Sequence, residues 1–333
     1  MAKPNLADYV NIFSNLLDKF MQHHIDFAKK EIRYIYKHKV LILFFILMQF
    51  RRIHQFKAQR RWLENHPEER KLLGFEEIPH RTTLSRRYKW AYPIICEFVA
   101  FIGANVEPLD EAFAHQFLFE DKSLFKAKGP VWHKCDQEAG HIPEKLRNLD
   151  TDATWSKSGY QGWVYGYGLH VTTNQSAFPK LLQVETAKVS EKQVITKKEK
   201  GILNRLKPLF FTVDNSYFKA RRIRDWAKKG TALITPAFQW VKGKYAQTYH
   251  QFISQPEIQK LFIIRKTTVE PLFDLVAQII GATGRQKQLP VKGKPNVSAC
   301  LALGTLTLQI SMIVNNIWGM PLRNIGHMKA VFT

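Results

Sequence analysis

The chain is poor in cysteine and poor in acid. Cys96, Cys135 and Cys300 are the only cysteines in 333 residues, and so odd and widely spaced a set excludes a disulfide framework. None belongs to a Cys-x-x-Cys pair. His133, Cys135 and His141 lie close together but lack the paired spacing of a structural zinc site, so they are read as loop residues and no zinc is assigned. Asp and Glu number 28 against 50 Lys and Arg, a formal charge of +22. The excess recurs in several segments and points to a polyanionic partner. A duplex presents roughly one phosphate per 1.7 Å of axis, so a surface this basic gains affinity from counterion release and binds in a salt-sensitive way.

A convincing membrane span is also lacking. Residues 40–50 are apolar but fall well short of the ~20 that a bilayer needs. Residues 297–318 are longer and uncharged, yet they carry Ser298, Gly304, Thr305, Thr307, Gln309, Ser311, Asn315 and Asn316, which lipid would penalise. Both read as buried helices, the second closing the domain, and no membrane partner is expected. The opening MAKPNLADYV has neither a long apolar core nor a cleavage pattern, so the expectation is a cytoplasmic protein. Internal repeats and low-complexity tracts are absent.

What is present divides in two. Residues 7–104 show helical spacing and little alternation, which predicts an α-helical N-terminal region over 1–112. Within it, a turn containing Pro79 leads to Thr82 or Thr83 as N-cap of a helix bearing Arg86, Arg87 and Lys89, with Arg81 just ahead. A basic helix after a turn is what entry into a DNA groove requires, although a solvated basic face reads the same way.

Residues 113–333 predict a mixed α/β domain. Strands are expected at 115–125, 163–173, 180–185, 209–213 and 231–235, with helices at 188–206 and 216–229. An insertion or loop is expected at about 236–260. A short strand follows at 261–264, and then a helix from Thr267 or Thr268 whose Val269, Leu272, Phe273, Val276, Ile279 and Ile280 form one stripe. Residues 281–295 form a Gly, Pro and Lys-rich loop before the last long helix.

Three acids stand in comparable places. Asp214 closes the apolar run LFFTV, where an open α/β sheet puts its chemistry. Asp121 shares a strand face with Phe117 and Phe119. Glu270 lies in the first turn of its helix, outside the stripe. Three carboxylates brought together suit hard cations such as Mg²⁺, and paired ions serve phosphodiester chemistry. Taken singly, Asp214 reads as a helix cap, Asp121 as a turn acid and Glu270 as a complement to the helix dipole. Asp150 and Asp152 rival Asp121 as first ligand, and His170 reads as a core or supporting histidine. Arg221 and Arg222, in the run from Lys219 to Lys229, would track phosphates beside such a site.

Four ordered blocks carry a resemblance: DKSLFKAKGPVWH from Asp121, DTDATWSKSGYQGWVYGYGLHVTT from Asp150, TVDNSYFKARRIRDWAKKG from Thr212 and RKTTVEPLFDLVAQIIG from Arg265. Over residues 113–330 the chain resembles bacterial insertion-sequence transposases of the DDE type, with a ribonuclease H-like catalytic domain. The resemblance implies a mixed sheet flanked by helices, a helical DNA-binding region ahead of it, and Asp121, Asp214 and Glu270 as metal-binding catalytic acids. It implies Mg²⁺, with Mn²⁺ as a substitute, and cleavage and strand transfer at terminal inverted repeats and target DNA. It also implies a homodimer in the synaptic complex and a nucleoid-associated, cytoplasmic location. Lys266, four residues before Glu270, matches a phosphate-contacting basic position, whereas Ala277 and Gln278 stand where a second basic residue is often found. Trp240, Lys242 and Lys244 in the insertion would meet transposon-end DNA. A decayed or repurposed DNA-binding relative, and a nuclease of the same fold that never joins ends, are the alternatives.

Overall fold

Alternating side chains in three long segments pair into a sheet that sets the place of everything else. The computed structural model describes residues 3–32, 34–106, 114–144, 146–236 and 244–333. Helices α1 (Leu6–His23), α2 (Ile25–Ile32), α3 (His38–Phe50), α4 (Phe56–Asn65), α5 (Pro67–Leu72) and α6 (Arg81–Asn105) precede strand β1 (Phe117–Lys126). Then come α7 (Lys134–Glu138), β2 (Thr154–Ser158), β3 (Gly162–Asn174), β4 (Pro179–Thr186), α8 (Glu191–Lys200), β5 (Phe210–Thr212), α9 (Ala220–Ala227) and β6 (Ala232–Ile234). The chain ends with α10 (Lys244–Ile253), α11 (Pro256–Ile280), α12 (Lys294–Ile317) and α13 (Gly326–Phe332).

β3 is the pivot of the sheet. β1 runs antiparallel along one edge of it, while β2 and β4 divide the other edge between its first and second halves. β5 then pairs with β1 in parallel, and β6 with β5 in parallel. The result is a mixed sheet flanked by helices, an α/β fold as expected. One face carries Phe119, Leu169 and Val171 into a core shared with Val276 of α11 and Leu301 of α12. The other carries Leu118, Phe211 and Leu233 against Ile195 of α8 and Trp226 of α9.

The N-terminal helices share the first of these cores. α1 presents Tyr9, Phe13, Leu17 and Phe20 at helical spacing, and Phe13 meets Phe98 of α6 edge-on at 5.8 Å. α6 lies so close to β4 that a Cβ at Gly103 would stand 2.6 Å from the Lys180 carbonyl oxygen. Lys180, fully buried, donates from Nζ to the Gly103 carbonyl at 2.7 Å near the end of that helix, and burial pulls its pKa down to about 7. The apolar core therefore runs unbroken from α1 and α3 into the sheet.

α12 is long and apolar enough to cross a bilayer, and its whole apolar window is buried inside the protein. Its polar residues explain why it belongs there. Thr305 and Thr307 donate to carbonyls one turn back, Gln309 donates to the carbonyls of Val99 and Pro179, and Asn315 donates to those of Pro321, Leu322 and Asn324. Buried polar groups are tolerated when partnered in this way.

Several local expectations change. The run 261–264 is no strand but part of α11, because the apolar stripe extends back through Leu261 and Ile258 at helical spacing while Ile263 is exposed. Glu270 consequently sits mid-helix instead of in a first turn. Helix α6 starts at Arg81, with His80 rather than Thr82 or Thr83 as its N-cap. The expected helix 216–229 is a 3₁₀ turn, Asn215–Tyr217, followed by α9. Of the expected insertion, residues 237–243 lie outside the described residues, and the remainder forms α10 and the start of α11.

Gly166 is wedged between neighbours on the pivot strand: a Cβ there would lie 1.9 Å from the Phe125 carbonyl oxygen. Gly166→Ala is expected to lower stability by about 1–3 kcal/mol through overpacking against backbone that cannot yield. Urea denaturation of the two proteins checks this.

Candidate active site

The parallel ladder between β1 and β5 is short. It pairs Phe117 with Phe210, Leu118 with Phe211 and Phe119 with Thr212, then stops. Continued by two residues, the same register sets Asp214 beside Asp121. β1 goes on to Lys126, whereas after Val213 the other chain turns away into its 3₁₀ turn, so a crevice opens between them, as at the strand ends of open α/β sheets. α11 packs across the same face and adds Glu270. Asp121, Asp214 and Glu270 all line one cleft of about 1050 Å³.

Each acid has a distinct setting. Asp121, on β1, accepts from its neighbour's backbone N–H (Lys122) at 2.8 Å and from Arg265 Nη1 at 2.6 Å. Both members of that ion pair are largely buried. Burial pushes the Asp121 carboxyl up to about 6; the Arg265 guanidinium pulls it down and the Asp214 carboxylate pushes it further up. Asp214 caps the 3₁₀ turn, accepting from the backbone N–H and the hydroxyl of Ser216. Glu270 is exposed on α11, directly before Pro271. A proline inside a helix leaves the carbonyl four residues earlier without its N–H, and Arg323 donates to that carbonyl, Thr267, at 3.4 Å.

The three acids share the cleft without closing on one point: among the described residues, no three His, Cys, Asp or Glu side chains group closely enough to hold one ion. At Asp121 the positive charge is supplied by Arg265. Cations also line the cleft: Lys157 on β2, with Arg285 and Lys287 on the loop after α11. Lys287 pairs with Asp274 at 2.9 Å and donates to Ser123 Oγ at 3.2 Å.

The rival acids are structural. Asp150 is buried, accepts from the Tyr167 hydroxyl at 2.8 Å and takes the Gly293 N–H at 2.9 Å. Asp152 takes the Lys294 N–H at 2.7 Å. Together they cap the start of α12, where carboxylates are favoured by the helix dipole. His170 is fully buried, and burial drives its pKa well down, so the ring is a neutral core group. It lies on the sheet face opposite Asp121, above the buried Lys198–Glu120 pair.

The predicted DNA contacts separate by exposure. Arg81, Arg86 and Lys89 are exposed on α6, and Arg86 lies 5.6 Å from the ring of the exposed Trp90. Arg87 is buried: it donates to the Tyr36 carbonyl at 3.2 Å and sits 3.8 Å from the Tyr34 ring centroid, so it belongs to the packing and not to a groove-facing set. On α9, Arg221 is exposed, while Arg222 is buried and donates to the Lys192 carbonyl and Thr196 Oγ1. It fastens α9 to α8 and is removed from the contact set. Lys266 is exposed on α11. Trp240, Lys242 and the side chain of Lys244 lie outside the described residues.

Two features carry no expectation from the sequence: Arg265, next to Lys266, and a basic hollow of about 390 Å³ where Lys57, Arg60 and Arg61 of α4 meet Arg81. For Arg265 the signal was its place in the apolar stripe of α11, four residues after Leu261 and four before Val269: a charge on a buried face demands a partner. No family model, curated protein or solved structure matches the chain.

The opposing influences on Asp121 lead to two expected outcomes of opposite sign. In metal-free buffer its carboxyl titrates near pH 6, Arg265→Gln moves the midpoint up, and Asp214→Asn moves it down; carboxyl-carbon NMR titration measures all three. The exposure pattern leads to another: Arg87→Ala lowers the melting temperature while Lys89→Ala leaves it unchanged, as thermal unfolding followed by circular dichroism would record.

Proposed function

We propose that the protein is a DNA transposase of the DDE type, with a ribonuclease H-like catalytic domain, that cuts the ends of its own insertion sequence and joins the freed 3′ hydroxyl to target DNA. The observation that carries the reading is that Asp121, Asp214 and Glu270, remote in sequence, line one cleft from two neighbouring parallel strands and a helix packed across them. The mixed sheet flanked by helices supports it in coarse form, as does the +22 charge.

The donor set fits Mg²⁺ in kind. Asp214, just past the end of β5, pushes the carboxyl of Asp121 on β1 upward, and hard carboxylate oxygens are what Mg²⁺ takes from protein. Asp121 and Asp214 would hold the ion, with Glu270 contributing from α11. A bound ion would supply activation of the attacking oxygen and stabilisation of the leaving oxygen. The chain's own residues do the rest. Arg265 keeps Asp121 ionised and oriented, Lys157 and Arg285 draw the phosphate backbone to the cleft mouth, and Lys266, Arg221 and the exposed cations of α6 hold flanking duplex. Two copies would bring two ends together in a synaptic complex.

The Arg265–Asp121 pair and the spread of the three acids favour a second reading, a DNA-binding relative without catalysis. One experiment separates the two. Wild type is expected to nick duplex DNA with Mg²⁺ or Mn²⁺ and to join a pre-cut end to a target. Asp121→Asn, Asp214→Asn and Glu270→Gln should each lose more cleavage than the roughly 10–100-fold that changing an outer partner of a metal ligand costs, with DNA binding retained. Wild type that binds DNA but never cuts it would establish the non-catalytic reading, and cutting without joining would establish a nuclease.

A further inference from the structure

The turn between β2 and β3 stands on the rim of the acid cleft. Ser156, Lys157, Ser158, Gly159, Tyr160 and Gln161 line that rim. Tyr160, at the tip, is 75 % exposed, so its ring contributes little to the fold. The backbone beneath it is nonetheless held firmly. Ser158 Oγ accepts from the N–H groups of Tyr160 and Gln161, and Gly162 supplies the positive φ of 72° that lets the turn close. The loop after α11 fastens it from outside: Arg285 donates to the Tyr160 carbonyl at 3.0 Å, and Gln286 donates to those of Gln161 and Trp163 at 3.2 Å each. The Arg285 guanidinium lies 5.1 Å from the Tyr160 ring centroid and leaves the rest of the ring to solvent.

An isolated exposed tyrosine has no message. One whose backbone is hydrogen-bonded from both sides, backed by an arginine, beside an exposed lysine and lining a cleft that carries carboxylates, combines the two things that single-stranded nucleic acid requires. Those are an aromatic face for a base and cations for the backbone. Base stacking also benefits from a platform whose backbone is already ordered, and the hydrogen-bonded turn supplies one. A duplex end offers no free base face to such a ring unless its terminal nucleotides are unpaired.

The geometry points to Tyr160, supported by Arg285, as a platform that stacks an unpaired nucleobase next to the acid cleft, with Lys157 meeting the adjoining phosphate. This rests on the nucleic-acid reading above. The chain thereby prefers DNA whose strands are already separated at the cleft over fully paired duplex.

The test uses the full chain in metal-free buffer and fluorescence anisotropy of two labelled probes, a blunt duplex and the same duplex with a short unpaired thymine tail. Wild type is expected to bind the tailed probe more tightly. Tyr160→Ala should lose ~10-fold in affinity for the tail-bearing probe, the scale of one stacked base, with blunt-duplex binding unchanged; Tyr160→Phe should keep the preference. The exposed position makes an unchanged melting temperature the check that the variants fold. Equal binding of both probes by wild type, or an equal loss on both probes in Tyr160→Ala, overturns the platform and leaves the function standing. Wild type that binds neither probe overturns both.

Discussion

The constraint on which the site depends is the early end of the parallel pairing between β1 and β5. Three residue pairs hold the two strands together, and beyond Phe119 and Thr212 they part. Backbone pairing beside Asp121 and Asp214 would have filled the crevice with hydrogen-bonded main chain. Because it stops, Asp121 and Asp214 are left facing one crevice. Their mutual repulsion and the partial burial of Asp121 are unfavourable, and the buried Arg265 offsets them with a close ion pair. Such a pair is costly to break from one side only, since the remaining charge is then buried alone. Arg265 thus couples the position of α11 to the charge state of the strand beside it.

The same helix carries Glu270, so its placement matters beyond packing. Leu272, Val276 and Ile280 hold α11 in the core, while Glu270 and Lys266 face outward. Pro271 interrupts the backbone hydrogen bonding next to the acid, and Arg323 answers the freed carbonyl. On the far side of the cleft, the β2–β3 turn and the loop after α11 brace one another. Acids and cations line the same cleft, Lys122 and Lys287 among Asp121, Asp214 and Glu270, with the exposed Tyr160 at the tip of the turn. Carboxylates that face one space repel an approaching anion unless a cation lies between them.

Much of this arrangement was legible in the residues, and the rest was hidden for identifiable reasons. The buried character of α3 and α12 followed from composition, because a helix apolar on all sides belongs in a core or a membrane and the Gln, Asn and Thr of α12 argued for the core. β1 and β3 followed from alternation and β5 from its short apolar run, whereas β2, Thr154–Ser158, was not expected. Residues 261–264 misled because a four-residue apolar run fits a buried strand as well as one turn of a helix; only the longer stripe from Ile258 to Ile280 decides. Arg87 and Arg222 were indistinguishable from their exposed neighbours Arg86 and Arg221, since a run of cations does not declare which of its members points inward.

By itself the sequence determined the basic character of the protein, the α/β class, the helical front end, and the three acids worth watching at 121, 214 and 270. Those properties are local or additive: charge sums along a chain, and periodicity is read within a window. Which acids meet was decided by the tertiary structure alone. Asp121 and Asp214 were brought together by strand register, Asp150 and Asp152 were taken up by the start of α12, and Arg265 was turned inward to serve the first acid. Register and helix packing are set by contacts between segments remote in sequence, and no local pattern records them.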